Sequence, residues 1–488
     1  MGDTIRFWHG GEIVELDGVP ATTTVLEWLR TTRRSLGTKE GCNEGDCGAC
    51  AVVLGRPDAE GGLPLRMAHA CLMLVPMLHG MALFTIEDLA DGDELHPVQR
   101  EMVDRLGSQC GFCTPGIVMS LWRMHVEAAE SGRPLSEAHV RSGLAGHVCR
   151  CTGYRSIVEA GVASGASTGD GPDRAMALAG LTEVVDVGDF EYADADTRFI
   201  APATLAGLVR ARHERPAARV VGGGTDLIPA VPGRGELPTD WIWTGRVAGL
   251  ADIVQEGAVL SIGAGASIEH AWEALVLRWP RLLTGWQRFA SPAVRENGTL
   301  AGNLVTASPI GDSAPALMAL DAAAVVAGTA GERIVPLPEF FVGYRRTALG
   351  PGEVLARVVV PVPEPAWDVR MFKVARRFDN DIATVSLAVA LKRAGDRITG
   401  ARVALGGMAA VPGRASGAEK ALVGRDWDRR ALSAAQEALA VDVQPMSDHR
   451  GSATYRLAAA RGLLERWWLQ TRPGDPLSPE QTEVWGAS

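Results

Sequence analysis

No cysteine lies beyond Cys151 in this chain of 488 residues. Any thiolate-held metal must therefore belong to the first third, and the remainder must be read as what that third works with. Basic residues are in deficit: the net charge is −10. The chain thus lacks the cationic face that phosphate-backbone binding needs, and no nucleic-acid partner is expected. Long apolar runs are missing too. The best candidate, His69 to Ile86, is broken by Pro76, His79 and Gly80, so no membrane span is expected. The start, Met-Gly-Asp-Thr-Ile-Arg, has no basic-then-apolar leader. Arg6 stands where a myristoylation signal wants Ser or Thr. These absences make a cytoplasmic location the expectation. In that reducing compartment, clustered cysteines point to metal ligation rather than disulfides.

What is present begins with eight cysteines in two tight sets. Thr4 to Trp8 and Glu12 to Leu16 alternate about His9-Gly10-Gly11, which predicts a hairpin. Thr23 to Arg30 has helical spacing. Then Cys42, Cys47 and Cys50 follow the C-x4-C-x2-C pattern, with Cys71 further on. This is the spacing of plant-type [2Fe–2S] ferredoxins. Four thiolates must converge on two irons, so the loop must curl. Gly41, Gly45 and Gly48 permit the curl and let N–H groups approach sulfur. A structural zinc site is the alternative. Ala51 to Leu54 reads as a strand leaving the loop.

From residue 94 the periodicity becomes helical. Helices are expected over Pro97 to Leu106, after a Thr114 N-cap with Pro115 in the first turn, over Ser136 to Arg141, and from Tyr154 onward. Ile117, Leu121 and Met124 share one face as core residues. The second cysteine set, Cys110 and Cys113 with Cys149 and Cys151, falls in turns at helix ends. Helix N-termini there favour thiolates and a negative cluster. Taken alone, this set also admits zinc.

Ser164 to Arg174 is rich in Gly, Ser, Asp and Pro and reads as a linker. Beyond it stand two glycine-bearing loops, Val220-Val221-Gly222-Gly223-Gly224-Thr225-Asp226 and Asn297-Gly298-Thr299-Leu300-Ala301-Gly302-Asn303. A triple-glycine turn after a strand can offer clustered N–H groups to a pyrophosphate. That turn is not G-x-G-x-x-G, and Gly263-Ala-Gly265 fails too because Ile268 takes the third glycine position, so a Rossmann site is not indicated. Val385 to Leu391 and Ile398 to Gly406 alternate as antiparallel strands, followed by helices over Asp428 to Leu439 and Ser452 to Leu469.

Gln109-Cys-Gly-Phe-Cys-Thr-Pro-Gly116 and Cys149-Arg-Cys-Thr-Gly-Tyr-Arg155 closely resemble the helical [2Fe–2S] domain of molybdenum hydroxylases. That family includes xanthine dehydrogenase, aldehyde oxidase and carbon monoxide dehydrogenase. The ferredoxin-type loop, both glycine loops, Phe341 to Arg345, Pro351-Gly352-Glu353 and Phe372-Lys373 resemble the same family. The resemblance implies a multidomain α+β chain. Residues 1–90 would form a β-grasp ferredoxin-like domain and 91–165 a four-helix [2Fe–2S] domain. A linker over 166–191 would lead to a two-part α+β FAD-binding domain over 192–366 and a C-terminal α+β domain over 367–488.

By position the resemblance assigns Cys42, Cys47, Cys50 and Cys71 to one [2Fe–2S] cluster, and Cys110, Cys113, Cys149 and Cys151 to another. It assigns Val220 to Asp226 and Gly298, Thr299, Leu300, Ala301 and Gly302 to the FAD diphosphate, with Phe289, Asp312, Leu355 and Lys373 as further flavin contacts. Arg376 to Ala383 resembles a loop that affects access of NAD. No residue of the chain is expected to be catalytic. Electrons would pass from molybdopterin on a large partner subunit through the helical-domain cluster, the ferredoxin-type cluster and FAD to NAD, in a heterotetramer of two small and two large chains. Xanthine dehydrogenase chemistry on hypoxanthine and xanthine is the expectation. An aldehyde or N-heterocycle hydroxylase is the near alternative, and a zinc-stabilised binding scaffold the distant one.

Overall fold

The computed structural model describes residues 4–166, 171–184, 188–229, 238–362 and 367–482. They fall into two compact units. The first holds Met1–Ala248 with Ser267–Glu269 and Ser291–Thr299; the second holds Gly249–Ala266, His270–Ala290 and Leu300–Ser488.

The first unit opens with the expected hairpin. Ile5–His9 and Glu12–Leu16 pair antiparallel, Ile5 opposite Leu16. Gly10 and Gly11 both take positive φ to close it. Together with Ala82–Phe84, Ala51–Gly55 and Leu65–His69 they form a five-stranded sheet, in that spatial order beginning from Glu12–Leu16. The helix expected over Thr23 to Arg30 starts at Val25, capped by the Thr24 side chain, and widens into a π-helical turn over Trp28–Arg33.

Four helices follow: Pro97–Asp104, Thr114–Ser131, Glu137–Gly143 and Arg155–Ser164. Ile117, Leu121, Val140 and Ile157 are buried between them, so the periodic face is a core face. The expected cap is displaced by one residue: Cys113, not Thr114, is the N-cap of Thr114–Ser131. The Thr114 hydroxyl bonds Ser108 Oγ at 2.7 Å instead. Within the stretch read as a linker, 167–170 and 185–187 lie outside the described residues. Between them Arg174–Thr182 is a helix, capped by Asp173, that buries Ala177 and Leu181. Gly180 lies flat against the Trp8 ring, where a Cβ would come within 2.9 Å.

The first unit ends in a four-stranded sheet ordered Phe190–Ala193, Arg198–Ala201, Asp240–Trp243, Arg219–Val221. It has no core of its own. Phe190, Tyr192, Phe199 and Trp241 bury against Leu72, Met77 and Leu78 of the ferredoxin-like fold in one continuous cluster. A fully buried aromatic side chain stabilises by about 1.5–3 kcal/mol. The strand that carries the triple-glycine turn is therefore fastened to the domain that carries the first cysteine set.

In the second unit one sheet runs Ile253–Glu256, Val259–Gly263, Val354–Pro361, Ala323–Gly328, Gly331–Pro336. Another runs Trp367–Val374, Val385–Ala394, Arg397–Gly406, Gly413–Arg414. Alternation along Val385 to Leu391 suggests one wet face, yet all seven residues are buried. Val385, Leu387, Val389 and Leu391 pack in a core with Trp427, Leu464 and Trp467. The alternate residues, Ser386, Ala388 and Ala390, are small and buried too, and the helix Ser313–Ala319 packs on this strand. Small residues let a helix approach closely, so the alternation here is one of size as much as of polarity.

Candidate functional site

The loop from Gly41 to Cys50 has no regular structure, and Asn43, Gly45 and Gly48 all take positive φ within it. That curl turns main-chain N–H groups toward sulfur. Glu44 and Asp46 donate to Cys42 Sγ at 3.4 and 3.2 Å, and the N–H of Cys42 donates to Cys47 Sγ at 3.3 Å. Such a nest of donors favours negative charge. A hydrogen bond with Cys47, with these N–H groups added, draws the Cys42 thiol down to about 5 against the cost of burial. The same bond, with burial, pushes the Cys47 thiol up. Cys50 and Cys71 are buried and hydrogen bonded sulfur to sulfur at 3.3 Å, which lowers Cys50 and raises Cys71.

The second set pairs in the same way. Cys110 is lowered by the N–H of Phe112 and by Cys151, while Cys151 is raised by Cys110. Cys113 is pushed up to about 12 by burial and by its bond to Cys149. Burial works against ionisation of Cys149, but the Thr152 hydroxyl at 3.2 Å and local N–H groups prevail and bring it down to about 7. Tyr154, at φ 70°, fixes the turn: its hydroxyl accepts from the Cys149 N–H at 2.7 Å and donates to the His147 carbonyl at 3.2 Å. Each set thus resolves into two thiol pairs, Cys42 with Cys47 and Cys50 with Cys71, then Cys110 with Cys151 and Cys113 with Cys149. Two pairs suit two irons. Among the described residues, no group of three or more His, Cys, Asp or Glu is disposed to hold a single ion.

The two glycine loops, distant in sequence, meet within the first unit as far as Thr299. A Cβ on Gly223 would stand 1.7 Å from the Asn297 carbonyl oxygen, and one on Gly222 would stand 2.8 Å from Thr299 Oγ1. The Gly222 carbonyl accepts from the Trp243 indole at 3.0 Å, which ties the start of the turn to the strand Asp240–Trp243. Gly224 adopts φ +76, and a Cβ there would come within 2.6 Å of the Leu72 carbonyl oxygen. This cradle has no room for side chains, which fits a diphosphate lying against main chain. Asp226 is exposed and Val221 buried.

The remaining flavin-contact candidates lie in the second unit. Phe289 is buried and edge-on to Trp272, and Leu300, Ala301 and Leu355 are buried, while Gly302 is exposed. Asp312 and Lys373 form a buried ion pair at 2.7 Å, and Lys373 Nζ also donates to the Arg288 carbonyl at 2.8 Å. The ordinary alternative for Lys373, a solvated surface lysine, does not hold. Burial pushes the Asp312 carboxyl up, with Lys373 opposing, and Asp312 Oδ1 has no hydrogen-bond partner among the described residues. The loop that follows is exposed at Phe378 and Ile382, and the Arg377 N–H donates to Asp381 at 2.8 Å.

Three contributors escape a reading of motifs alone. Leu72 puts its side chain against Gly45 and its carbonyl against Gly224. His147 lies against Gly48. The half-buried Arg66 donates to Asn297 Oδ1 at 3.2 Å, which fastens a ferredoxin-like strand to the second glycine loop. The first two stand within two residues of cysteines, which is the one signal that could have singled them out. Beside Arg66, burial raises the carboxyl of Glu296 to about 7. Its folded pKa exceeds the unfolded value, so the folded chain binds the extra proton and stability falls as pH rises from about 4.5 to 7. We expect Glu296→Gln to flatten that fall, worth about 2–3 kcal/mol, in denaturant midpoints compared at about pH 5 and pH 8.

Comparison with known proteins agrees with this geometry. Residues 9–75 match a 2Fe-2S iron-sulfur cluster binding domain and 85–161 a [2Fe-2S] binding domain. Residues 190–363 match the FAD binding domain in molybdopterin dehydrogenase, and 370–471 the CO dehydrogenase flavoprotein C-terminal domain. The chain is 30% identical to xanthine dehydrogenase of Emericella nidulans, over 96% of this chain and 38% of that protein. It is 28% identical to aldehyde oxidase 4 of Cavia porcellus, over 96% and 39%. The chain thus spans about two fifths of the length of these curated relatives. Among solved structures it is similar to a chain of Cu,Mo-CO dehydrogenase, with 31% identity and a TM-score of 0.52 over 55% of this chain and 94% of that one. It is also similar to a chain of quinoline 2-oxidoreductase from Pseudomonas putida 86, with 31% identity and a TM-score of 0.52 over 57% and 97%.

Proposed function

The chain belongs to the molybdenum hydroxylase family and has its iron–sulfur and FAD architecture, and from that premise we propose that it is the electron-transfer subunit of an enzyme of the xanthine dehydrogenase type. On this reading a large partner chain holds molybdopterin and the substrate, two copies of each chain assemble, and NAD is the final acceptor. When bound, the clusters carry single electrons and FAD joins single-electron to hydride chemistry.

The observation that carries the reading is the order of parts in the first unit. The loop of the first cysteine set touches His147, beside the second set, through Gly48. It touches Leu72, beside the glycine turn, through Gly45. A chain built to relay electrons needs its ligand segments in such a row. The thiol pairs hold metal; the turn Gly222 to Gly224 and the residues from Asn297 hold phosphate; the N-terminus of Thr114–Ser131 favours the negative charge of the second centre. Cys110 and Cys151 are exposed, and Phe112, Val148 and Leu106, near the second set in sequence, leave apolar surface bare. Exposed apolar patches of this kind mark protein interfaces, and this one suits the molybdopterin-binding partner.

The test separates the two half-reactions. Purified, cofactor-loaded chain should reduce an artificial dye with NADH and do nothing with xanthine. Adding the large chain should restore xanthine-dependent NAD reduction. Xanthine turnover by this chain alone would overturn the assignment, because a catalytic centre would then lie within it. Aldehyde oxidase and quinoline 2-oxidoreductase among the similar proteins favour a second reading. It predicts turnover of an aldehyde or N-heterocycle, and none of xanthine, by the same complex.

A further inference from the structure

The imidazole of His147 is in contact with segments that carry both cysteine sets. Gly48, between Cys47 and Cys50, has positive φ, and a Cβ on it would stand 2.4 Å from His147 Nδ1. The ring therefore packs on the bare main chain of the first loop. Its Nε2 is hydrogen bonded to Ser120 Oγ at 2.6 Å. Ser120 belongs to the helix Thr114–Ser131, which Cys113 caps. The main chain of His147 runs directly to Cys149, and the N–H of the intervening Val148 donates to the Cys47 carbonyl at 3.1 Å.

Other close approaches in this region are made by bare glycine main chain. A Cβ on Gly116 would fall 2.1 Å from the Gly48 carbonyl oxygen. Gly146 turns with φ +87, and a Cβ there would meet Ser291 Cβ at 2.3 Å. Between these close approaches the His147 ring, itself buried, fills the space from loop to helix. Protein interiors are close-packed and transmit displacement, so a buried ring at such a junction sets a distance.

Building on the cluster reading above, we propose that His147 is a positioning residue that fixes the separation and relative orientation of the two clusters, and so the rate of electron transfer between them. A side chain that merely packs its own turn would affect stability and leave cluster coupling unchanged. The measurement is low-temperature EPR of the full chain with both clusters reduced, in which magnetic coupling between neighbouring spins splits the lines. His147→Ala should keep both signals and lose the sharp splitting. Ser120→Ala, which leaves the ring but releases Nε2, should broaden it. His147→Gln, whose carboxamide can still reach Ser120, should restore it. Unchanged splitting in His147→Ala overturns the proposal; if that variant fails to fold, unchanged splitting in Ser120→Ala does so. Two absent signals in the unaltered chain would instead overturn the cluster reading on which the proposal rests.

Discussion

Gly223→Val should yield protein that keeps its iron and loses its flavin. The position has no space for any side chain: a Cβ would lie 1.7 Å from the Asn297 oxygen, 2.5 Å from its carbonyl carbon and 2.8 Å from Gly298 Cα. All three are main-chain atoms, so no rotamer change relieves the clash. Asn297 is itself held by Arg66, and Glu296 accepts from the Met67 N–H, so the second loop cannot retreat freely. The first loop must move, and with it the N–H groups of the turn. Overpacking of this kind costs about 1–3 kcal/mol. If it falls wholly on the bound state, FAD affinity drops by about 10- to 100-fold. Gly222→Ala is the graded control, because its Cβ meets the Thr299 hydroxyl at 2.8 Å and that side chain can rotate. Iron content and flavin content, measured on one preparation, decide the matter. Full flavin occupancy in Gly223→Val would remove the turn from the site.

Cys149→Ser should abolish one of two reduced-state EPR signals and spare the other. Cys149 is buried, its N–H is held by Tyr154 and its thiol is lowered to about 7, so it is prepared to ligate as thiolate. A serine hydroxyl stays protonated at neutral pH and leaves its partner Cys113 with half of a pair. Cys42, Cys47, Cys50 and Cys71 lie on other segments; Cys42 and Cys47 keep their N–H donors, and Cys50 and Cys71 their sulfur-to-sulfur bond. Loss of both signals in folded protein, or of neither, would count against the assignment of two independent sets.

Much of the site was legible because its chemistry is local. C-x4-C-x2-C with interleaved glycines requires a curled loop, and the positive φ of Gly45 and Gly48 bears that out. The hairpin at Gly10-Gly11 and the four helices were legible for the same reason, since turn chemistry and helical period act over a few residues. The helix Arg174–Thr182 was not. Its stretch reads as a linker by composition, and only the packing of Ala177 and Leu181 on the sheet gives it a reason to be helical. Lys373 gives no local sign of burial either, because its partner Asp312 is remote in sequence.

The sequence by itself determined the family, because the cysteine and glycine motifs that carry it are properties of short segments. Only the tertiary structure decided how the thiols pair, that Gly223 meets Asn297, and that the first cysteine loop stands between His147 and Leu72. Those relations join residues far apart along the chain. They are fixed by burial of one continuous core that joins the ferredoxin-like sheet to the strands after Phe190, and no periodicity within a segment encodes which distant segment will share its core.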